Sequence, residues 1–142
     1  MKVVLGSDEK TTVTDAVAAD LEQRGYDVLL VGPPGGESIE WAEVGQRVGE
    51  LVAKGEADSG VLFCWTGTGA SIAANKVPGA RAALCTDAAT AAGARKWNDA
   101  NVLVMGLRLT TPDVAGELLD AWFTTESDPG EASNIARLEA RR

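Results

Sequence analysis

The sequence predicts an α/β fold: a three-layer α/β/α sandwich around a five-stranded parallel sheet. Three observations carry this. Five short apolar runs recur along the 142 residues. Segments with helical spacing separate them. The runs are near-continuous in apolar character rather than alternating, which suits strands covered on both faces. Alternating β and α elements in one small chain imply a parallel sheet with helices on both sides.

The runs lie at residues 2–5, 27–31, 60–64, 81–84 and 102–105. After the first, Val13, Ala16, Val17 and Leu21 recur at helix spacing, with Gly25 just past them, where a C′ glycine belongs. After the second comes a loop, Gly32-Pro33-Pro34-Gly35-Gly36, and then a helix pattern at Val44, Val48, Leu51 and Val52 that Gly55 closes. Thr111-Pro112-Asp113 reads as a helix start, followed by Val114, Leu118 and Trp122 on one face. The stretch 126–142 is polar, with weak helical character around Ile135 and Leu138, and reads as a C-terminal arm. Nothing resembles a linker or a repeat, so residues 1–142 are expected to form a single domain. Right-handed crossovers leave few topologies, and the expected strand order is 2-1-3-4-5, a Rossmann-like sheet. Its connection reverses between the first and third strands, so a ligand is expected beyond their carboxyl ends.

Composition narrows the chemistry. Lysine plus arginine number 13 against 21 aspartates and glutamates, a net charge of −8. A nucleic-acid backbone binder needs a basic footprint, so none is expected. There is no histidine. Imidazole general bases, Ser-His and Cys-His catalysis and histidine metal sites are therefore excluded within one chain. Two cysteines, Cys64 and Cys85, are too few for a disulfide scaffold or a cysteine zinc site. The chain opens on a strand-like MKVVLG and holds no run of about 20 apolar residues. A cytoplasmic protein with no membrane partner, no metal and no cofactor is the expectation.

The switch point holds Gly6-Ser7-Asp8-Glu9 and Cys64-Trp65-Thr66-Gly67-Thr68-Gly69-Ala70-Ser71. The second segment runs from a buried strand into a helix. Its glycines let the backbone turn sharply and bring N–H groups near a ligand, an anion hole at a helix N-terminus. It lacks the Gly-Lys-Ser/Thr of a P-loop and the spacing of a dinucleotide fingerprint. The same letters also read as a plain strand–helix turn. Cys64, at the strand end, reads as a base or nucleophile or as a small buried apolar residue. Asp8 reads as a partner for a substrate hydroxyl or as a helix cap.

The block Ser-Ile-Ala-Ala-Asn-Lys-Val-Pro-Gly-Ala-Arg-Ala-Ala-Leu-Cys at 71–85, with Asn98-Asp99-Ala100-Asn101-Val102-Leu103, resembles the ribose-5-phosphate isomerase B / galactose-6-phosphate isomerase family. Gly6-Ser7-Asp8, Gly55-Glu56-Ala57-Asp58 and Gly106-Leu107-Arg108 fit the same pattern. The resemblance implies an aldose–ketose isomerase working through an enediolate. It makes Cys64 the residue that moves the proton and Thr66 its assistant at the carbonyl oxygen. The amides of Gly67, Thr68, Gly69 and Ala70 become the anion hole. Asp8 and Asn98 bind sugar hydroxyls, and Arg108 helps hold phosphate. It also implies a homodimer or tetramer with sites at the subunit interface, to which Trp122, Phe123 and the arm could contribute.

The departures fall on the site. Glu9 and Trp97 stand where the family has the histidines that bind phosphate and open the sugar ring. Trp41 within Glu40-Trp41-Ala42 replaces a tyrosine–proline pair, and Trp65 replaces a glycine. Ala132-Ser133-Asn134 replaces a phosphate-gripping segment, with Arg137 nearby. Two like charges about 4 Å apart repel by about 4 kcal/mol at intermediate dielectric, so Glu9 disfavours a dianion beside it. Trp41, Trp65 and Trp97 either pack the fold or reshape the pocket. The expectation is an isomerase with an altered or open-chain sugar or sugar-phosphate substrate rather than ribose 5-phosphate. A non-catalytic sugar-binding paralogue and one subunit of a hetero-oligomeric isomerase are the alternatives.

Overall fold

A computed structural model describes residues 1–139; residues 140–142 of the expected arm lie outside them. The strands are β1 (Lys2–Ser7), β2 (Asp27–Val31), β3 (Ser59–Cys64), β4 (Ala82–Leu84) and β5 (Val102–Gly106). The helices are α1 (Thr12–Gln23), α2 (Trp41–Ala53), α3 (Thr68–Asn75), α4 (Ala88–Asn98), α5 (Pro112–Thr124) and α6 (Ala132–Glu139). The local signals act where expected. Gly25 and Gly55 take φ of 86° and 76° just past α1 and α2. The Thr111 side chain accepts from the Val114 N–H, with Pro112 opening α5. Thr11 and Thr14 cap α1 reciprocally, so the cap is Thr11 and not Asp8.

All strand pairs are parallel, in the order β2-β1-β3-β5-β4. The expected order exchanged the last two strands. The reason is burial. All five β5 residues are buried, and β5 pairs with β3 from Gly60↔Val102 to Cys64↔Gly106. β4 is three residues long and only partly buried, which suits an edge. Asn75 completes that edge: its side chain donates to the Ala82 carbonyl at 2.9 Å and accepts from the Ala82 N–H at 2.8 Å. β2, expected to be covered on both faces, is the other edge and is buried only at Val31. The switch between β1 and β3 is unaffected.

Period-two alternation splits the core. Val3, Leu5, Val61, Phe63, Leu103 and Met105 face Val17, Leu21, Leu118 and Trp122 of α1 and α5. Val4, Leu62, Cys64, Val102 and Val104 face Val44, Val48, Ala70 and Ala74 of α2 and α3. Each fully buried large side chain contributes about 1.5–3 kcal/mol. Trp122 is 3% exposed, and its Nε1 donates to Ser59 Oγ at 3.0 Å. It is a core residue and not an interface one, because the α5 stripe of Ala115, Leu118 and Trp122 points inward. Phe123 packs on Tyr26 with ring centroids 4.7 Å apart. Among the described residues no helix is long and apolar enough to cross a membrane.

Candidate active site

Alternation along β3 turns the Cys64 side chain toward α2 and α3, at the open carboxyl end of the sheet. It is 5% exposed, and its Sγ accepts the Gly67 N–H at 3.2 Å. That bond needs the turn Gly67 makes. Its φ is 80°, and an added Cβ would lie 2.5 Å from Leu84 Cδ1 and 3.1 Å from the Met105 carbonyl carbon. The same turn starts α3 with no side chain capping its N-terminus, so the first amides of the helix lack a side-chain acceptor. The hydroxyls of Thr66 and Thr68 share a hydrogen bond of 2.8 Å.

β1 delivers the opposing wall. Ser7, fully buried, donates its hydroxyl to the Glu9 carbonyl at 2.6 Å and accepts the Glu9 N–H at 3.1 Å. This locks the turn that presents Asp8. Asp8 Oδ1 is buried and has no protein hydrogen-bond partner. Burial raises the Asp8 carboxyl above its ordinary value; a backbone hydrogen bond opposes the shift, and the charge of Glu9 adds to it.

Asp8, Trp41, Cys64, Trp65, Thr66, Thr68 and Gly69 line one cavity of about 330 Å³. Trp41 closes it from the first turn of α2. Its ring lies against Gly69, where an added Cβ would come within 2.8 Å of the indole. Trp41 and Trp65 remain 49% and 58% exposed, so both indoles shape the mouth rather than pack the core. Ala70 is fully buried and offers only its backbone.

The other expected site residues lie elsewhere. Glu9 is exposed and does not line the cavity. Arg108 is exposed in an adjoining depression with Trp65, Thr11 and Thr12, and its N–H donates to the Trp65 carbonyl at 2.9 Å. Trp97 and Asn98, at the end of α4, line a depression with Leu84, Asp87 and Gly93. They are not brought to Cys64 within one chain. Two contributors were missed in the sequence. Ser7 carries the signal of a hydroxyl residue closing a tight turn two residues on. Leu84, which packs under Gly67, carries none.

An open parallel sheet with a cysteine, a carboxylate and uncapped helix amides at its switch point is a candidate small-molecule site. The model of a family described as ribose/galactose isomerase matches residues 3–140. Ribose-5-phosphate isomerase B of Escherichia coli is 34% identical, over 99% of this chain and 98% of that protein. D-erythrulose-4-phosphate isomerase 2 of Mycolicibacterium smegmatis is 37% identical, over 94% of this chain and 90% of that one. The solved structure of Clostridium thermocellum ribose-5-phosphate isomerase B superimposes with a TM-score of 0.91 at 40% identity, over 98% and 95% of the two chains. The chain belongs to the ribose/galactose isomerase family.

Proposed function

We propose that this chain is an aldose–ketose isomerase acting on a sugar phosphate that is already open-chain, with a four-carbon 4-phosphate as the best fit. One observation carries the reading. Asp8, Cys64, Thr66, Thr68 and Gly69 share a single cavity in a chain with no histidine.

Isomerisation requires a base for the proton α to a carbonyl and donors for the oxyanion that forms. Cys64, as thiolate, takes the proton from one of the two reacting carbons. The electron pair moves onto the carbonyl oxygen and gives the enediolate. Amides at the start of α3 hold that charge. Thr66 passes a proton between the two oxygens, and Cys64 returns its proton to the neighbouring carbon. Asp8 accepts a substrate hydroxyl through its unpartnered oxygen, and Arg108 pairs with phosphate.

The cavity holds no imidazole, the group that the family resemblance assigns to ring opening. A four-carbon 4-phosphate makes no such demand. Its C4 oxygen is esterified, so a five-membered hemiacetal cannot form. D-erythrulose-4-phosphate isomerase 2 is named for a substrate of this kind. Asn98 and Trp97 enter this reading from a second copy. Leu84 and Trp97, which line one depression, and Ile72 are exposed apolar residues that favour a homodimer or tetramer, which would place Trp97 and Asn98 beside a neighbouring cavity.

The test is turnover of D-erythrulose 4-phosphate and D-ribose 5-phosphate by the purified chain. The four-carbon substrate is expected to give a kcat/KM higher by about 100-fold or more, the usual worth of one missing acid–base group. Equal or better turnover of ribose 5-phosphate overturns the substrate class. Saturable binding without turnover makes the chain a sugar-binding paralogue. Activity only after a second, histidine-bearing chain is added makes it one half of a hetero-oligomer.

A further inference from the structure

We infer that Arg81 is a positioning residue for Asn98, acting through Asp99; this rests on the reading that Asn98 binds substrate. Asp99 follows Asn98 and ends α4 with φ 47°. Among the described residues it is the one non-glycine in the left-handed region. An aspartate keeps that conformation where its surroundings enforce it.

Two arginines enforce it. Arg81, just ahead of β4, donates from Nε to the Asp99 carbonyl at 2.8 Å, and its Nη2 faces Asp99 Oδ2 at 3.4 Å. Arg95, one turn back on α4, donates from Nη1 to Asp99 Oδ1 at 3.1 Å and to the Ala100 carbonyl at 2.5 Å. Both carboxylate oxygens and the backbone carbonyl are thereby held. The arginines are anchored in turn. The Arg81 N–H donates to Asn101 Oδ1 at 2.7 Å, and Arg81 Nη1 pairs with Glu139 of α6 at 2.7 Å. The Arg95 guanidinium lies 5.5 Å from the ring centroid of buried Trp122.

The contrast with other helix ends separates positioning from mere termination. α1 and α2 stop at Gly25 and Gly55, which have open space around them. Termination needs no more than that. At α4 a charged residue in a disfavoured conformation is clamped from two elements instead. What the clamp adds is a fixed direction for the residue before it, Asn98.

A double-mutant cycle on D-erythrulose 4-phosphate turnover tests this, with Asn98→Ala, Asp99→Gly and the pair. Glycine tolerates the φ, so the fold is kept while the clamp is lost. Asp99→Gly is expected to lower kcat/KM by about 10- to 100-fold, as small displacements of a binding group do. In the Asn98→Ala background it is expected to cost nothing further. Arg81→Lys, which keeps charge without the forked geometry, is expected to lower kcat/KM in the same range as Asp99→Gly. Additive losses, or full activity of Asp99→Gly when Asn98→Ala is impaired, overturn the positioning role alone. No loss from Asn98→Ala overturns the assignment of Asn98 and this inference with it. No wild-type turnover of any sugar phosphate overturns the isomerase reading as well.

Discussion

Replacing Gly67 by alanine tests the site at its tightest point. The backbone there has φ 80°, which costs an L-residue about 1–2 kcal/mol. The added methyl would meet Leu84 Cδ1 at 2.5 Å, the Met105 carbonyl carbon at 3.1 Å and the Gly106 nitrogen at 3.2 Å. Leu84 can rotate away, but the β5 backbone cannot. Overpacking of this kind costs about a further 1–3 kcal/mol. The sum is about 2–5 kcal/mol, or a fall in Tm of about 6–15 °C for a chain of this size. Gly25→Ala is the internal control, with φ 86° and nothing within 4 Å of its added Cβ. It should lose only the backbone part, about 1–2 kcal/mol. Urea unfolding of both variants reads the difference. Because Gly67 also donates to Cys64 Sγ, its variant should lose isomerase activity below the unfolding midpoint, while Gly25→Ala keeps it. Equal stability losses in the two variants would refute the steric account.

Asp8→Asn should cut kcat/KM by about 10- to 150-fold, from a charged hydrogen bond worth about 1.5–3 kcal/mol. The folded carboxyl is raised above its ordinary 3.8, so its contribution to stability is full below that value and is lost as pH rises through the folded pKa. At pH 7 the charged group therefore burdens the fold, and Asp8→Asn should raise Tm there but not at pH 3. Burial, then the charge of Asp87, pushes the Cys85 thiol from 9.0 up to about 11. Its contribution is full below 9 and lost between 9 and 11, so the urea midpoint should fall across that window. Cys85→Ala should flatten the fall, which is worth at most about 3 kcal/mol. Trp41→Ala removes the indole resting on Gly69 and should raise the turnover of longer sugar phosphates relative to four-carbon ones, read as a ratio of kcat/KM.

Elements set by local chemistry were legible in the residues. The strand runs, the Thr111 cap and the glycines after α1 and α2 act over a few residues and sit where the pattern puts them. So does the gathering of Asp8, Cys64 and Thr66, because the β1–β3 switch depends only on which strands neighbour each other there. The order of β4 and β5 was not legible. Both runs are apolar, and burial of all five β5 residues against three partly buried ones in β4 is a property of the packed sheet. The position of Trp97 and Asn98 was not legible either. Their distance from Cys64 depends on how α4 packs on α5, a contact between separate segments that no local pattern encodes. Trp122 carried conflicting signals, a place on a helical stripe and a place near the chain end, and the stripe prevailed.

The most direct test of the central claim is proton exchange at the reacting carbons. D-Erythrulose 4-phosphate is incubated with the protein in D2O and followed by NMR. A thiol that relays the proton exchanges it with solvent, so deuterium should enter the aldose product at C2. Cys64→Ala, which replaces a buried side chain by a smaller one, should keep its circular dichroism and lose the exchange. No exchange by the wild-type chain, or equal exchange by Cys64→Ala, would contradict the account.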